Sequence, residues 1–406
     1  MTYGSKKDII ILLKTEKEEG MANITDYVDW RGDVTLSASP FNDIDALIIT
    51  QLSMVNLAGV VPSDPGDGYI SLADAAELYF ADKKRDSEKV SVIIPSETYV
   101  LFEKIAKSKR FGNMKLTAHV SHTDAAREKQ FAALTVKPGD GSTFIAFRGT
   151  DDTIVGWKED FNMSFMPTIP SQTEAAEYLD KVGRKVYGKL RVGGHSKGGN
   201  LAVYAAVKCS PRIRKRILTV YNYDAPGFSR EFLALPEYGE LGDRLKTMVP
   251  QSSLVGMLLE NDGRYSVIKS TESGIMQHNA FSWEVKGTEF IMLKELTKES
   301  RDMTAVIAEW LSKLDNDARK KFVDAVYSIL IATKATTVTE LSDDKTAILR
   351  ALKDTDKETR RMVMKTLGLL FGEGGKQIAG HITSALFKSK ASESDKNEKD
   401  RKGKKS

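Results

Sequence analysis

A single cysteine, Cys209, among 406 residues excludes an internal disulfide and any zinc or iron–sulfur site built on several thiolates. Cysteine scarcity suits a reducing cytoplasm and implies no metal centre. Long apolar runs are missing as well. The N-terminal stretch Ile9–Leu13 gives way to Lys14 and the charged cluster Glu16-Lys17-Glu18-Glu19, too early for a signal core, and nothing approaches the ~20 residues of a membrane span. Net charge is small, at +4, and it is not spread along the chain. Lys388–Ser406 holds eight basic and four acidic residues, which leaves 52 of each sign over residues 1–387. A neutral body has no general attraction for polyanions, so nucleic-acid binding is not expected as the main activity.

What is present is ordinary for a globular protein: 41% hydrophobic and 29% charged residues. Ile44, Leu47, Ile48, Leu52 and Val55 follow a helical period after a candidate cap at Asn42. Further helical patterns cover Leu72–Phe80 and Glu97–Ser108, which together predict an N-terminal helical layer. From Phe131 the period changes. Two apolar runs, Ala133–Val136 and Thr143–Phe147, flank Lys137-Pro138-Gly139-Asp140-Gly141-Ser142 and predict a hairpin at one edge of a sheet. Beyond it, a helix at Thr173–Tyr187, a strand at Leu190–Gly193, a helix at Asn200–Lys208 and strands at Ile217–Tyr223, Lys246–Val249 and Tyr265–Lys269 predict a mainly parallel α/β sheet. After Gly287 the pattern is helical again, with Met303, Val306, Ile307, Trp310, Leu311 and Leu314 on one stripe and Phe322, Val326, Ile329 and Leu330 on the next. The expected organisation is therefore a disordered extension at 1–22, an α/β domain at 23–287, a helical segment at 288–387 and a disordered charged tail at 388–406.

The chemistry is concentrated in Val192-Gly193-Gly194-His195-Ser196-Lys197-Gly198-Gly199-Asn200. Gly194–Gly198 fits G-x-S-x-G between a strand end and an Ala-rich helix, the setting of a nucleophile elbow that lifts Ser196 above the sheet. A hydroxyl needs a base, and the chain has five histidines. His195 sits inside the elbow and should point away from Oγ. His119 and His122 precede the expected sheet, and His381 lies in the far C-terminal region. His278, in the loop after the last expected strand, completes the order serine, acid, histidine. Asp224 follows strand Ile217–Tyr223 at the carboxyl edge, where α/β sites collect, and is the first choice for the acid. Asp262, in Asn261-Asp262-Gly263, is the second. For the oxyanion, the backbone N–H of Lys197 supplies one donor, and Thr150, leaving strand Thr143–Phe147, supplies another through its N–H and hydroxyl.

These residues resemble a known family. Ala146-Phe147-Arg148-Gly149-Thr150, Trp157 and Asp160-Phe161, followed by the Ser196 elbow, are similar to the fungal-type (class 3) lipases of the α/β-hydrolase superfamily. Pro40–Leu47, Tyr221–Phe228 and Val249–Leu258 resemble a bacterial branch, domain-of-unknown-function family 2974. The resemblance implies an α/β-hydrolase-like fold with Ser196 as nucleophile, His278 as base, and Thr150 with Lys197 as oxyanion donors. It departs in two places. Lipases of this class carry their acid in an Asp-x-Val-Pro segment, where this chain has Ser253, and they have an apolar residue at the position of Lys197. The lysine would recognise an anionic or polar acyl group or simply point to solvent.

The function expected from the sequence is a cytoplasmic serine hydrolase cleaving a lipid or other small-molecule ester, with no cofactor. A catalytically inactive hydrolase-fold scaffold is the alternative. A third expectation is peripheral contact with anionic lipid through Arg401-Lys402-Gly403-Lys404-Lys405.

Overall fold

The structure, a computed structural model, describes residues 22–340 other than Val90, Val92, Thr333, Lys334 and Val338, together with Arg360. The extension up to residue 21, most of the helical segment beyond 340 and the basic tail lie outside the described residues. Nine strands form one sheet in chain order. They are β1 (Ile70–Ser71), β2 (Lys115–Asp124), β3 (Lys129–Lys137), β4 (Ser142–Phe147), β5 (Lys189–His195), β6 (Ile217–Tyr223), β7 (Leu245–Pro250), β8 (Ser266–Ile268) and β9 (Met292–Leu293). Strands β4 to β8 are parallel, β1 to β4 run antiparallel, and β9 is antiparallel to β8.

Side-chain alternation divides the core between the two faces. In β4, Phe144 and Ala146 pack into a cluster with the N-terminal helices, whereas Ile145 and Phe147 join the helices that follow β4 and β5. The first layer is α1 (Ile24–Arg31), α2 (Asp43–Leu52), α3 (Leu72–Ala81) and α4 (Glu97–Lys107). The opposite face carries α6 (Pro170–Lys185) and α7 (Lys197–Lys208), preceded by α5 (Ile154–Asn162). Two further helices, α8 (Lys298–Ser312) and α9 (Asn316–Ala332), close the described chain, with Ile307 and Phe322 of the expected stripes buried and Val306 exposed. This is a mostly parallel sheet flanked by helices. Among the described residues no helix is long and apolar enough to cross a membrane.

Two expectations are corrected. The β3–β4 hairpin is not the sheet edge, because β2 and β1 lie outside it, and His119 and His122 belong to β2 instead of preceding the sheet. Strand β2 escapes a period-two reading because its register shifts between Thr117 and Val120, with Ala118 at φ +51°. Helix α5 escapes because its polar residues Lys158, Glu159 and Asn162 are buried, which blurs an amphipathic pattern.

The Pro40–Leu47 motif has a structural account. Asn42 caps α2 in a capping box with Asp45, accepting from the N–H groups of Ile44 and Asp45. Asp45 is fully buried and accepts from Arg110, by Nε at 2.7 Å and by Nη2, and from the Tyr27 hydroxyl at 3.1 Å. Arg110 also donates to the carbonyls of Val34, Ser39 and Pro40, so one guanidinium ties the loop before α2 to its first turn. Asp43 binds Lys246 of β7 at 2.7 Å and so joins the layer to the sheet. Removing one partner of a buried pair leaves an uncompensated charge. Asp45→Ala is therefore expected to destabilise the protein by about 3–5 kcal/mol in urea unfolding.

His119 is buried on β2 and its Nε2 accepts from the Leu57 N–H at 3.3 Å. Burial, reinforced by the charges of Arg148 and Arg85, pushes its imidazole down to about 3. Between that value and the ~6.5 of an unperturbed histidine, the unfolded chain holds a proton that the folded chain does not. The contribution of His119 to stability therefore rises with pH across that window. In His119→Gln the slope of unfolding free energy against pH between about 4 and 6 should fall by roughly one proton, or ~1.4 kcal/mol per pH unit, measured by urea titrations at several pH values.

Candidate active site

The elbow is built by lack of room. A Cβ on Gly194 would lie 2.0 Å from the carbonyl carbon of Gly198, and one on Gly198 would lie 2.2 Å from the Phe147 carbonyl oxygen. Only glycine lets β5, α7 and the end of β4 approach so closely. Ser196 lies between them at φ +58° and ψ −136°, a region costing a non-glycine residue on the order of 1–3 kcal/mol. Its N–H is held by the Tyr223 carbonyl at 2.9 Å, which couples the elbow to β6.

Sheet register brings the other candidates to the same edge. Phe147 pairs with Gly194, and His195 pairs with Tyr223, so Thr150 and Asp224 leave strands that flank β5. Gly149 runs against the elbow: a Cβ there would be 2.8 Å from the His195 carbonyl oxygen and 3.3 Å from Ser196 Cβ. The Thr150 hydroxyl donates to Asp160 of α5. Burial pushes the Asp160 carboxyl up to about 6, with the Lys197 ammonium opposing that rise.

Asp224 is fully buried, at φ +48°, with its N–H bonded to the Met248 carbonyl at 2.8 Å. One carboxylate oxygen accepts from Ser253 Oγ at 2.5 Å and from the Gly256 N–H at 3.1 Å. The other lies 2.6 Å from His278 Nδ1. Asp262, the second choice, is bound to Arg264 and the Tyr238 hydroxyl. Gln277 secures the histidine loop, since its carbonyl accepts from Trp283 Nε1 at 2.8 Å and its side chain accepts from the Ser252 N–H at 2.8 Å. Asn200, one turn beyond Ser196, donates to the carbonyls of Pro226 and Gly227 and ties α7 to the loop after Asp224. In the sequence Ser253 is notable only as the residue standing where the lipases carry their acid, and Gln277 and Asn200 have no signal beyond adjacency to a motif. Ser196 Oγ makes no hydrogen bond among the described residues; in substrate-free hydrolases this contact is commonly loose.

A family model described as Mbeg1-like matches residues 105–328. The chain belongs to the Mbeg1-like family. Among solved structures it is similar to a native Rhizomucor miehei lipase propeptide complex, at 17% identity over 39% of this chain and 57% of that one, with TM-score 0.30. It is also similar to M37 lipase, at 16% identity over 52% and 68% with TM-score 0.33. A lipase from Rhizopus microsporus var. chinensis matches at 14% identity over 60% and 88%, with TM-score 0.32. Curated protein sequences give no match.

In this Mbeg1-like chain the side chain of Lys197 does neither of the things expected of it. It is buried, and its ammonium donates to the Gln130 carbonyl at 3.1 Å, to Gln130 Oε1 at 2.6 Å and to Glu159 at 3.1 Å. Glu159 also accepts from the N–H groups of Gln130 and Ser171. The cation is buried and braces β3 against α5. Lys197→Met is expected to cost about 3–5 kcal/mol in urea unfolding, and Lys197→Met combined with Glu159→Gln should recover most of that loss.

Proposed function

We propose that this protein is a serine hydrolase that cleaves an acyl ester through a Ser196 acyl-enzyme. The observation that carries this reading is the hydrogen-bonded His278–Asp224 pair, at 2.6 Å, on the sheet edge where a strained elbow presents Ser196. His278 Nε2 would take the Ser196 proton as Oγ attacks the ester carbonyl, and would return it to the departing alcohol. Asp224 holds the imidazole with its Nδ1–H inward and offsets the imidazolium charge. The N–H groups of Thr150 and Lys197 would stabilise the oxyanion. Water, activated by the same histidine, would then release the acid. The residues need no cofactor for this sequence of steps.

A cavity of about 670 Å³, in the range of small-molecule sites, reaches the first turn of α7 at Asn200 but is lined by none of Ser196, Thr150, Asp224 and His278. Its wall includes Phe165, Phe228, Phe232, Met257 and Ile307, and Asn200 reaches it from α7. Glu231, Glu260, Asn261 and Arg319 stand among these apolar residues, so the lining is of mixed polarity.

A fluorophosphonate probe should label Ser196 in the wild-type protein and leave Ser196→Ala unlabelled. Asp224→Asn should slow hydrolysis of p-nitrophenyl acyl esters by roughly 10³–10⁴-fold, because the imidazole loses its required tautomer. An unlabelled, inert but folded wild-type protein would favour the scaffold alternative.

A further inference from the structure

His195 has no part in the steps above, yet its side chain lies against the candidate base. The two imidazole rings stack with centroids 4.5 Å apart and planes 29° from parallel. His195 Nε2–H donates to the His278 carbonyl at 2.8 Å, and the ring meets Trp283 edge-on at 6.0 Å. The residue before the nucleophile is thus joined to the histidine loop by a ring face and by a hydrogen bond.

We propose that His195 is a positioning residue for His278, its ring face supporting the positive charge that His278 acquires on taking the Ser196 proton. The inference rests on the hydrolase reading. A stacked ring can support a cation only while it is itself uncharged, since two stacked imidazolium ions would repel. Burial, and then the neighbouring His278, push His195 down to about 3, so it is neutral where a histidine base works. Two titratable groups flank the pair. Asp224 accepts from His278 at 2.6 Å. Tyr223, the cross-strand partner of His195, stays neutral because burial pushes its hydroxyl well above the usual range. The remaining packing partner, Trp283, carries no charge. The hydrogen bond to the His278 carbonyl has a separate task, which is to hold the loop.

The two tasks separate by substitution. His195→Phe keeps a ring face and loses the donor; His195→Leu loses both; His195→Gln keeps a donor and loses the face. The measurement is an NMR titration of the His278 imidazole nitrogens in the full chain, assigned with His278→Asn, alongside the pH dependence of fluorophosphonate labelling. His195→Leu and His195→Gln should lower the His278 titration midpoint by about half a pH unit relative to wild type, with the acid limb of labelling moving equally. His195→Phe should leave both in place. The proposal is overturned if His195→Leu titrates with the wild type, or if His195→Phe shifts as far as His195→Leu. Where His195→Leu fails to fold, His195→Gln decides the point. Absence of Ser196 labelling in a folded wild type would sink the hydrolase reading, while the His278 titration still decides the coupling.

Discussion

Close approach of main chain to main chain at Gly194 and Gly198 is the constraint from which the rest of the site follows. With no Cβ at either position, β5 turns straight into α7 and the end of β4 lies against the first turn of that helix. The turn forces Ser196 into its positive-φ conformation, and the strain is held by contacts on both sides, including the Tyr223 carbonyl. Because the strands are parallel and in register, the same edge receives the residues that leave β4, β6 and β7. Thr150, Asp224 and Ser253 are far apart in the chain and come to one sheet edge through that register, where Ser253 meets Asp224.

Buried charge is used around this edge to brace, not to recognise. Lys197 and Glu159 join β3, α5 and α7 below the elbow. Lys158, the neighbour of Glu159, pairs with Asp324 of α9 and lies 5.2 Å from the Tyr327 ring. The Ile154 N–H is bonded to the Thr336 carbonyl at 3.0 Å. The segment that follows the candidate oxyanion loop is thereby fixed from below by the sheet and from outside by the C-terminal helices. On the opposite face, the Arg110–Asp45 pair does similar work for the N-terminal layer. Each pair is costly to break and contributes less to net stability than its Coulomb energy suggests, because both charges were desolvated to form it.

Displacement of the acid has a simple geometric reading. In the lipases that the sequence resembles, the acid stands where this chain has Ser253. Here Ser253 donates to Asp224, one strand earlier, and Gly256 adds a second bond to the same oxygen. A short side chain at 253 leaves room for the carboxylate at 224 and supplies a hydrogen bond to orient it. His278 meets this buried carboxylate across distant segments of the chain, so the pairing depends on how the strand ends pack and not on the position of a motif.

The elbow, the parallel strands and the capped helices were legible because each depends on neighbours within a few residues: glycines at fixed spacing, alternation of apolar side chains, Asn42 before an apolar period. Strand β2 and helix α5 were not, since a register shift breaks the alternation of one and charged residues that become buried disguise the other. The sequence by itself determined the candidate nucleophile, the fold class and a short list of partners. Tertiary structure alone decided that His278 faces Asp224 and not Asp262, that Lys197 turns inward to Glu159, and that His195 lies on the ring of His278. The reason is physical: which polar groups are desolvated, and which of them meet, depends on the register and packing of distant segments, and local sequence carries no record of either.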